Sequence, residues 1–163
     1  MVSRAYASGT DVPVSNSRAE IEHTVERFGA TGYLYGWQGD EAVVQFCLGP
    51  YTIRFILTLP AKDDHRFTRT PTGKPRAPQA AAQEWEKACR EQWRALALIV
   101  KAKLVAVESG IVTIEGEFAA QIVMADGRPA GDALIPALRE YAASDQSILP
   151  GRLVAAITSG QES

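Results

Sequence analysis

Histidine and cysteine are nearly missing from this 163-residue chain, two of each, and most of the side chains that build zinc sites, thiol centres and catalytic triads go with them. Cys47 falls in a strand-like pattern and Cys89 in a helical one. Two cysteines without close pairing or a neighbouring histidine cannot make a zinc site, so both are expected as buried, reduced thiols that pack like small hydrophobes. His23 lies among charged residues and reads as solvated. Phosphate-cradling GxxxxGK[ST], dinucleotide-binding GxGxxG, HExxH and CxxC are all absent, and no GxSxG elbow accompanies the histidines. A metal-dependent nuclease would have to draw on Glu20, Asp40, Glu41 and Arg54, yet the acid pair closely followed by a strand lysine is missing. The expectation is a non-enzymatic protein with no catalytic residue, cofactor or metal ligand.

Long apolar runs are also lacking. The longest, ALALIV at residues 95–100, falls far short of the ~18 residues that a membrane span requires. The first ten residues carry one arginine and neither an apolar run nor a small-residue cleavage site, which excludes a secretory signal there. A cytosolic protein with no membrane partner is expected. What is present is ordinary globular composition: 46% hydrophobic, 22% charged and 8% aromatic residues, in a chain of about one domain's length.

The pattern along the chain predicts an α+β fold. Alternation in TDVPV (10–14) suggests a short edge strand, since Pro13 cannot donate to a ladder. Ser17 with Glu20 three residues on forms a capping box, so a helix is expected to start at Ser17, carry Ile21, Val25 and Phe28 on one face, and end at Gly29. The period then changes to two over residues 33–38, 42–48 and 51–59, separated by Gly39-Asp40 and Gly49-Pro50. These are three strands of an antiparallel meander, three- to four-stranded with the edge candidate. Ile53, Phe55, Leu57 and Leu59 share the core face of the third strand.

The segment at 60–78, with four prolines and one glycine, reads as a long mobile loop. From Gln79 a helix of about 30 residues, roughly 45 Å long, carries Trp85, Cys89, Trp93, Leu96, Val100, Leu104 and Val107 in an arc of about 100°. Lys103 falls inside that arc, where it must snorkel or meet a buried carboxylate. Ser109-Gly110 breaks the pattern. Ile111, Ile114, Phe118 and Ile122 then resume helical spacing, with a strand over 110–114 as the alternative. After an Asp126-Gly127 turn, Asp132 caps a last helix bearing Leu134, Leu138 and Tyr141 on one side, with Pro136 near its first turn. Residues 1–150 form a single domain and 151–163 a weakly patterned tail.

Charge is segregated. Residues 62–103 hold ten Lys or Arg against five Asp or Glu, a local net of +5, while the remainder nets −7. Lys62, Arg66, Arg69, Lys74 and Arg76 lie on the 60–78 segment with Phe67 among them. On the following helix Lys87, Arg90, Arg94 and Lys101 project within about 60° of one another. Spaced cations can track a phosphate backbone and an interleaved aromatic can stack on an unpaired base, so these ten residues are the candidate nucleic-acid surface. Three other readings stand beside it. Glu84, Glu86 and Glu91 can pair with Lys87, Arg90 and Arg94 and leave an ordinary salt-bridged face. Alternatively, the surface meets an acidic protein, or the long helix mediates association with a second copy.

The run WRALALIVKAKLVAVESGI (93–111), with VPVSNSRAEIEHTVERFGATGY (12–33) before it and ADGR (125–128) after it, resembles a family of small uncharacterised proteins of bacteriophages, prophages and related mobile elements. The resemblance implies no catalytic residues. It implies a non-enzymatic accessory that binds nucleic acid, or one that binds and redirects a host or phage protein, in the cytosol of the host cell.

Overall fold

A computed structural model of the protein describes residues 11–144 as backbone and, from Val14 on, as side chains. The tail at 151–163 and Thr10 lie outside the described residues. The architecture is α+β: α1 (Asp11–Arg27), strands β1 (Gly32–Gln38), β2 (Glu41–Leu48) and β3 (Tyr51–Thr58), a short α2 (His65–Thr68), the long α3 (Pro78–Glu108), and the C-terminal helices α4 (Ile114–Phe118) and α5 (Gly131–Ala143).

The first correction to the sequence reading lies in α1. Residues 11–14 are helical, and the helix runs straight through Ser17, which is therefore no cap. Two features permit this. Pro13 stands in the first turn, where the amide it lacks has no intrahelical partner, and Val14 continues the buried stripe of Ile21 and Val25 at spacings of seven and four. Burial of that extra residue outweighs the capping signal and a five-residue alternation.

The three strands pair antiparallel in the order β1-β2-β3. Register sets Tyr33 opposite Phe46 and Phe46 opposite Ile53, and Tyr35 opposite Val44 and Val44 opposite Phe55. One face of the sheet is therefore a continuous apolar surface, and Ala42, Val44, Phe46, Leu48, Ile53, Phe55 and Leu59 are all buried on it. The opposite face, with Val43, Gln45 and Cys47, is half-buried. Cys47 is thus only partly enclosed, unlike Cys89. Among the described residues the meander has three strands; at 11–14 the edge strand expected at its start is replaced by helix. A short hairpin at 122–130 touches the free edge of β3 instead, through the Ile53–Ile122 bridge and the Val123 amide donating to the Thr52 carbonyl.

Helices α1 and α3 cover the apolar face. Trp85, Cys89, Trp93, Leu96, Ala97, Val100 and Leu104 are the buried residues of the 31-residue α3, close to the predicted arc. Trp93 lies 5.6 Å from Tyr35 between ring centroids. Phe118 of α4 meets Phe46 and Phe55 edge-on at 6.2 and 6.3 Å, which closes the far end of the core.

The break at Ser109-Gly110 is a Schellman ending: the Ile111 amide donates to the Ala106 carbonyl and the Gly110 amide to Val107, with Gly110 at φ 71° in the left-handed region that a side chain resists. Helical spacing does not resume at Ile111, which is 77% exposed. Thr113 instead caps the five-residue α4 by accepting from the Gly116 amide, and no strand forms over 110–114.

The 60–78 segment is built rather than irregular. Asp64 caps α2, Phe67 is buried in the core, and the Arg76 amide donates to the Thr68 carbonyl to close a turn around Gly73. Helix α5 follows the predicted turn, where Arg128 donates to Asp126. It begins at Gly131 rather than being capped by Asp132. A β-carbon at Gly131 would stand 2.8 Å from the Ala120 carbonyl oxygen, so only glycine permits this approach. Pro136 is inside the helix rather than in its first turn. The apolar side of α5 is not core: Leu134, Ile135, Leu138 and Tyr141 are all exposed. No helix among the described residues is long and apolar enough to cross a membrane.

Trp93→Ala is expected to cost about 3–5 kcal/mol of unfolding free energy, as large-to-small core changes do. Ile111→Ala should stay within about 0.5 kcal/mol of wild type. Urea unfolding followed by circular dichroism compares the two, and equal losses would contradict this description of the core.

Candidate nucleic-acid interface

Burial of the tryptophan stripe fixes the rotation of α3, and the rotation decides where its cations go. Lys87, Arg90, Arg94 and Lys101 follow at spacings of three, four and seven, so they share a flank beside the core-facing arc. Helix α1 lies along that flank. Between the two helices is a cleft of about 410 Å³ lined by Asn16, Ser17, Lys87, Arg90, Glu91 and Arg94. It holds three cations, one carboxylate and two neutral side chains able to hydrogen-bond an anion. Arg90 stands 3.9 Å from Glu86; among the described residues Lys87, Arg94 and Lys101 make no ion pair. Lys101 is exposed two turns beyond Arg94, outside the cleft. Of the three pairings that would have neutralised this face, Glu86–Arg90 forms, while Glu84 turns instead to Arg76 at 3.3 Å.

A second cleft of about 470 Å³ lies on the 60–78 segment, lined by His65, Arg66, Arg69, Thr70, Pro71, Gly73 and Arg76. Its cations are already engaged. Arg66 binds both carboxylate oxygens of Asp64 through its backbone and side chain, which holds that carboxyl below its usual range. Arg69 donates to the Gly73 carbonyl at 3.2 Å, and Arg76 donates to the Arg69 carbonyl at 3.1 Å. Lys74 is exposed at the turn, and the Lys62 ammonium sits 4.3 Å from the centroid of the Trp85 ring. The Arg76–Glu84 pair joins the two clefts, because Glu84 is the helical neighbour of Lys87 three residues on.

Phe67 is the one residue of the expected surface that the structure removes from it. The ring is 6% exposed because it anchors the segment to the core, so no base can stack on it. Sequence reasoning missed Asn16 and Ser17, which α1 presents to the cleft. The capping box at Ser17 and Glu20 starts the expected helix one residue after Asn16, so the turn that carries both residues falls outside it.

Other chemistry-bearing groups are dispersed or committed to structure. Of the two outcomes expected for Lys103, snorkelling or a buried carboxylate, it meets a half-buried carboxylate, donating to Glu117 Oε1 at 2.9 Å and to the Glu117 carbonyl at 2.7 Å, above the face of Phe118. Glu20, Asp40 and Glu41 are each exposed, the first on α1 and the others at the β1–β2 turn. Arg54 bonds Gln45 and the Gly127 carbonyl. Among the described residues no three His, Cys, Asp or Glu gather to hold a metal ion. The Tyr33 hydroxyl is buried without a hydrogen-bond partner, and burial, with Glu22 adding to it, pushes the group up to about 12.

Burial likewise pushes the Cys89 thiol from 9.0 up to about 11. A neutral thiol at ordinary pH is a poor nucleophile, so a thiol reagent is expected to modify Cys47 in the native protein and to spare Cys89 until the chain unfolds. The raised value also carries a sign. The contribution of Cys89 to stability is fully present below pH 9.0 and is lost as pH rises toward about 11, because the unfolded chain releases its proton first. Mass spectrometry after timed labelling checks the first point, and Cys89→Ala, which should flatten stability across that alkaline window, checks the second.

No family model, no curated protein and no solved structure matches this chain, and the roles of its residues follow from their placement and chemistry alone.

Proposed function

We propose that the protein is a non-enzymatic nucleic-acid-binding accessory of phage type, which grips a phosphate backbone with the basic flank of α3. The observation that carries this reading is the α1–α3 cleft, where Lys87, Arg90 and Arg94 converge beside Asn16 and Ser17 with Glu91 as the sole lining carboxylate. Lys87 and Arg94, which make no ion pair among the described residues, on one face of an otherwise acidic molecule favour a polyanion over a neutral ligand. The 60–78 segment supplies a second, weaker contact. Its arginines must exchange exposed ion pairs and carbonyl bonds for phosphate, and the exposed pair Arg66–Asp64 is worth little to break.

Binding of a fluorescently labelled single strand measured at several salt concentrations tests this. Four phosphate contacts, from Lys87, Arg90, Arg94 and Lys101, predict a slope of log affinity against log salt near about −3, at about −0.7 per contact on single strands. Arg90→Ala with Arg94→Ala should weaken binding and make the slope shallower by about 1.4. Arg128→Ala, on the distant 122–130 hairpin, should leave both unchanged. No binding at low salt, or a double variant that binds as wild type, ends the proposal.

A second reading rests on α5, whose exposed Leu134, Ile135, Leu138 and Tyr141 form the kind of apolar surface that partner proteins or a second copy cover. Sedimentation across a concentration range, with Leu138→Glu as comparison, separates it: a monomer at every concentration, with no partner recovered by wild type and lost by the variant, would end this second reading.

A further inference from the structure

An exposed aromatic does exist, and it comes from the sheet. Trp37 is 54% exposed at the end of edge strand β1. Alternation puts it on the core face with Tyr33 and Tyr35, where it would ordinarily be counted as buried. The core runs out beneath it: its cross-strand partner is Ala42, the smallest side chain of that row, and the row ends at the β1–β2 turn.

The ring is held rather than loose. Its centroid is 6.1 Å from that of Tyr35, with planes tilted by 32°. Tyr35 in turn leans on the buried Trp93 at 5.6 Å and carries the Arg18 guanidinium 4.4 Å over its ring. Two of these residues are chain neighbours of the residues that line the basic cleft. Arg18 follows Ser17, and Trp93 lies between Arg90 and Arg94; Ser17, Arg90 and Arg94 all line it. A row of rings thus leads from the buried Trp93, past the Arg18 guanidinium over Tyr35, to an open indole.

We infer that Trp37, backed by Tyr35 and Arg18, is a stacking platform for an unpaired base of a nucleic-acid strand whose phosphates lie in the α1–α3 cleft. The inference rests on the nucleic-acid reading and narrows it to single strands. A duplex shows a protein only the edges of its bases, because their faces are stacked on one another. A single strand exposes those faces, and an indole beside a cationic groove takes any of them without regard to sequence. The pairing with Tyr35 orients the indole before a base arrives, which lowers the entropic cost of binding.

Trp85 and Trp93 are 3% and 1% exposed, so Trp37 is the tryptophan of the three whose fluorescence a bound base can quench by contact. Wild type, Trp37→Phe and Trp37→Ala are titrated with oligothymidylate, with an abasic oligomer of the same length, and with a duplex. Oligothymidylate is expected to quench wild type, and the abasic oligomer is not. Trp37→Ala should bind oligothymidylate about tenfold or more weakly, Trp37→Phe should retain most of the affinity, and the abasic oligomer should bind all three proteins alike. Unquenched binding by wild type overturns the platform whether or not Trp37→Ala folds. Equal affinity of wild type and Trp37→Ala for oligothymidylate, or duplex binding as tight as single-strand binding, also overturns it and leaves the broader reading standing. If no oligomer binds at low salt, both fall together.

Discussion

Everything in the molecule depends on one contact, the tryptophan-bearing stripe of α3 against the inner face of the meander. A small meander draws its stability from the packing of its apolar face. Here it gains a cover in which Trp93 touches Tyr35 and in which Cys89, Val100 and Leu104 are wholly enclosed. Apolar burial of this kind is non-directional, but a helix that must bury one arc has no freedom left to turn about its axis. The buried stripe therefore places the cations as firmly as it places the core.

The same packing explains where the remaining pieces attach. Helix α1 covers the part of the sheet that α3 leaves bare, inserting Val14, Ile21 and Val25, and so becomes the second wall of the basic cleft. Phe67 and Phe118 act as anchors from either side of α3. The first draws the 60–78 segment onto the body; the second seats α4, where Lys103 closes the arrangement through Glu117. Beyond Ile122 the core is finished. Helix α5 is attached through the close approach at Gly131 and turns its apolar side outward.

Legibility from the sequence followed the strength of the periodic signal. The three strands and α3 were readable almost to the residue, because each repeats its pattern over several turns or alternations and ends in glycine or proline. Ser17 and Glu20 satisfied a local capping rule that burial of Val14 overrode. Ile111 continued a helical spacing by coincidence, and its exposure shows that a spacing carries no information once the chain has turned at Gly110. The cations on α3 could be assigned to one flank from angles alone. Whether Glu84 would neutralise Lys87 could not, since its actual partner, Arg76, arrives from the preceding segment.

The sequence by itself determined the α+β class, the antiparallel order of the strands, the core face of α3 and the clustering of its positive charge. All of these follow from local periodicity and chain connectivity. Tertiary structure alone decided that α1 is already helical at Asp11 and walls the cleft, that Phe67 is an anchor rather than a stacking surface, that Trp37 stands open and that α5 shows its apolar side to solvent. Those outcomes turn on whether a neighbouring element is there to cover a side chain. An alternation or a helical angle gives a direction, and only the packed molecule determines what lies along it.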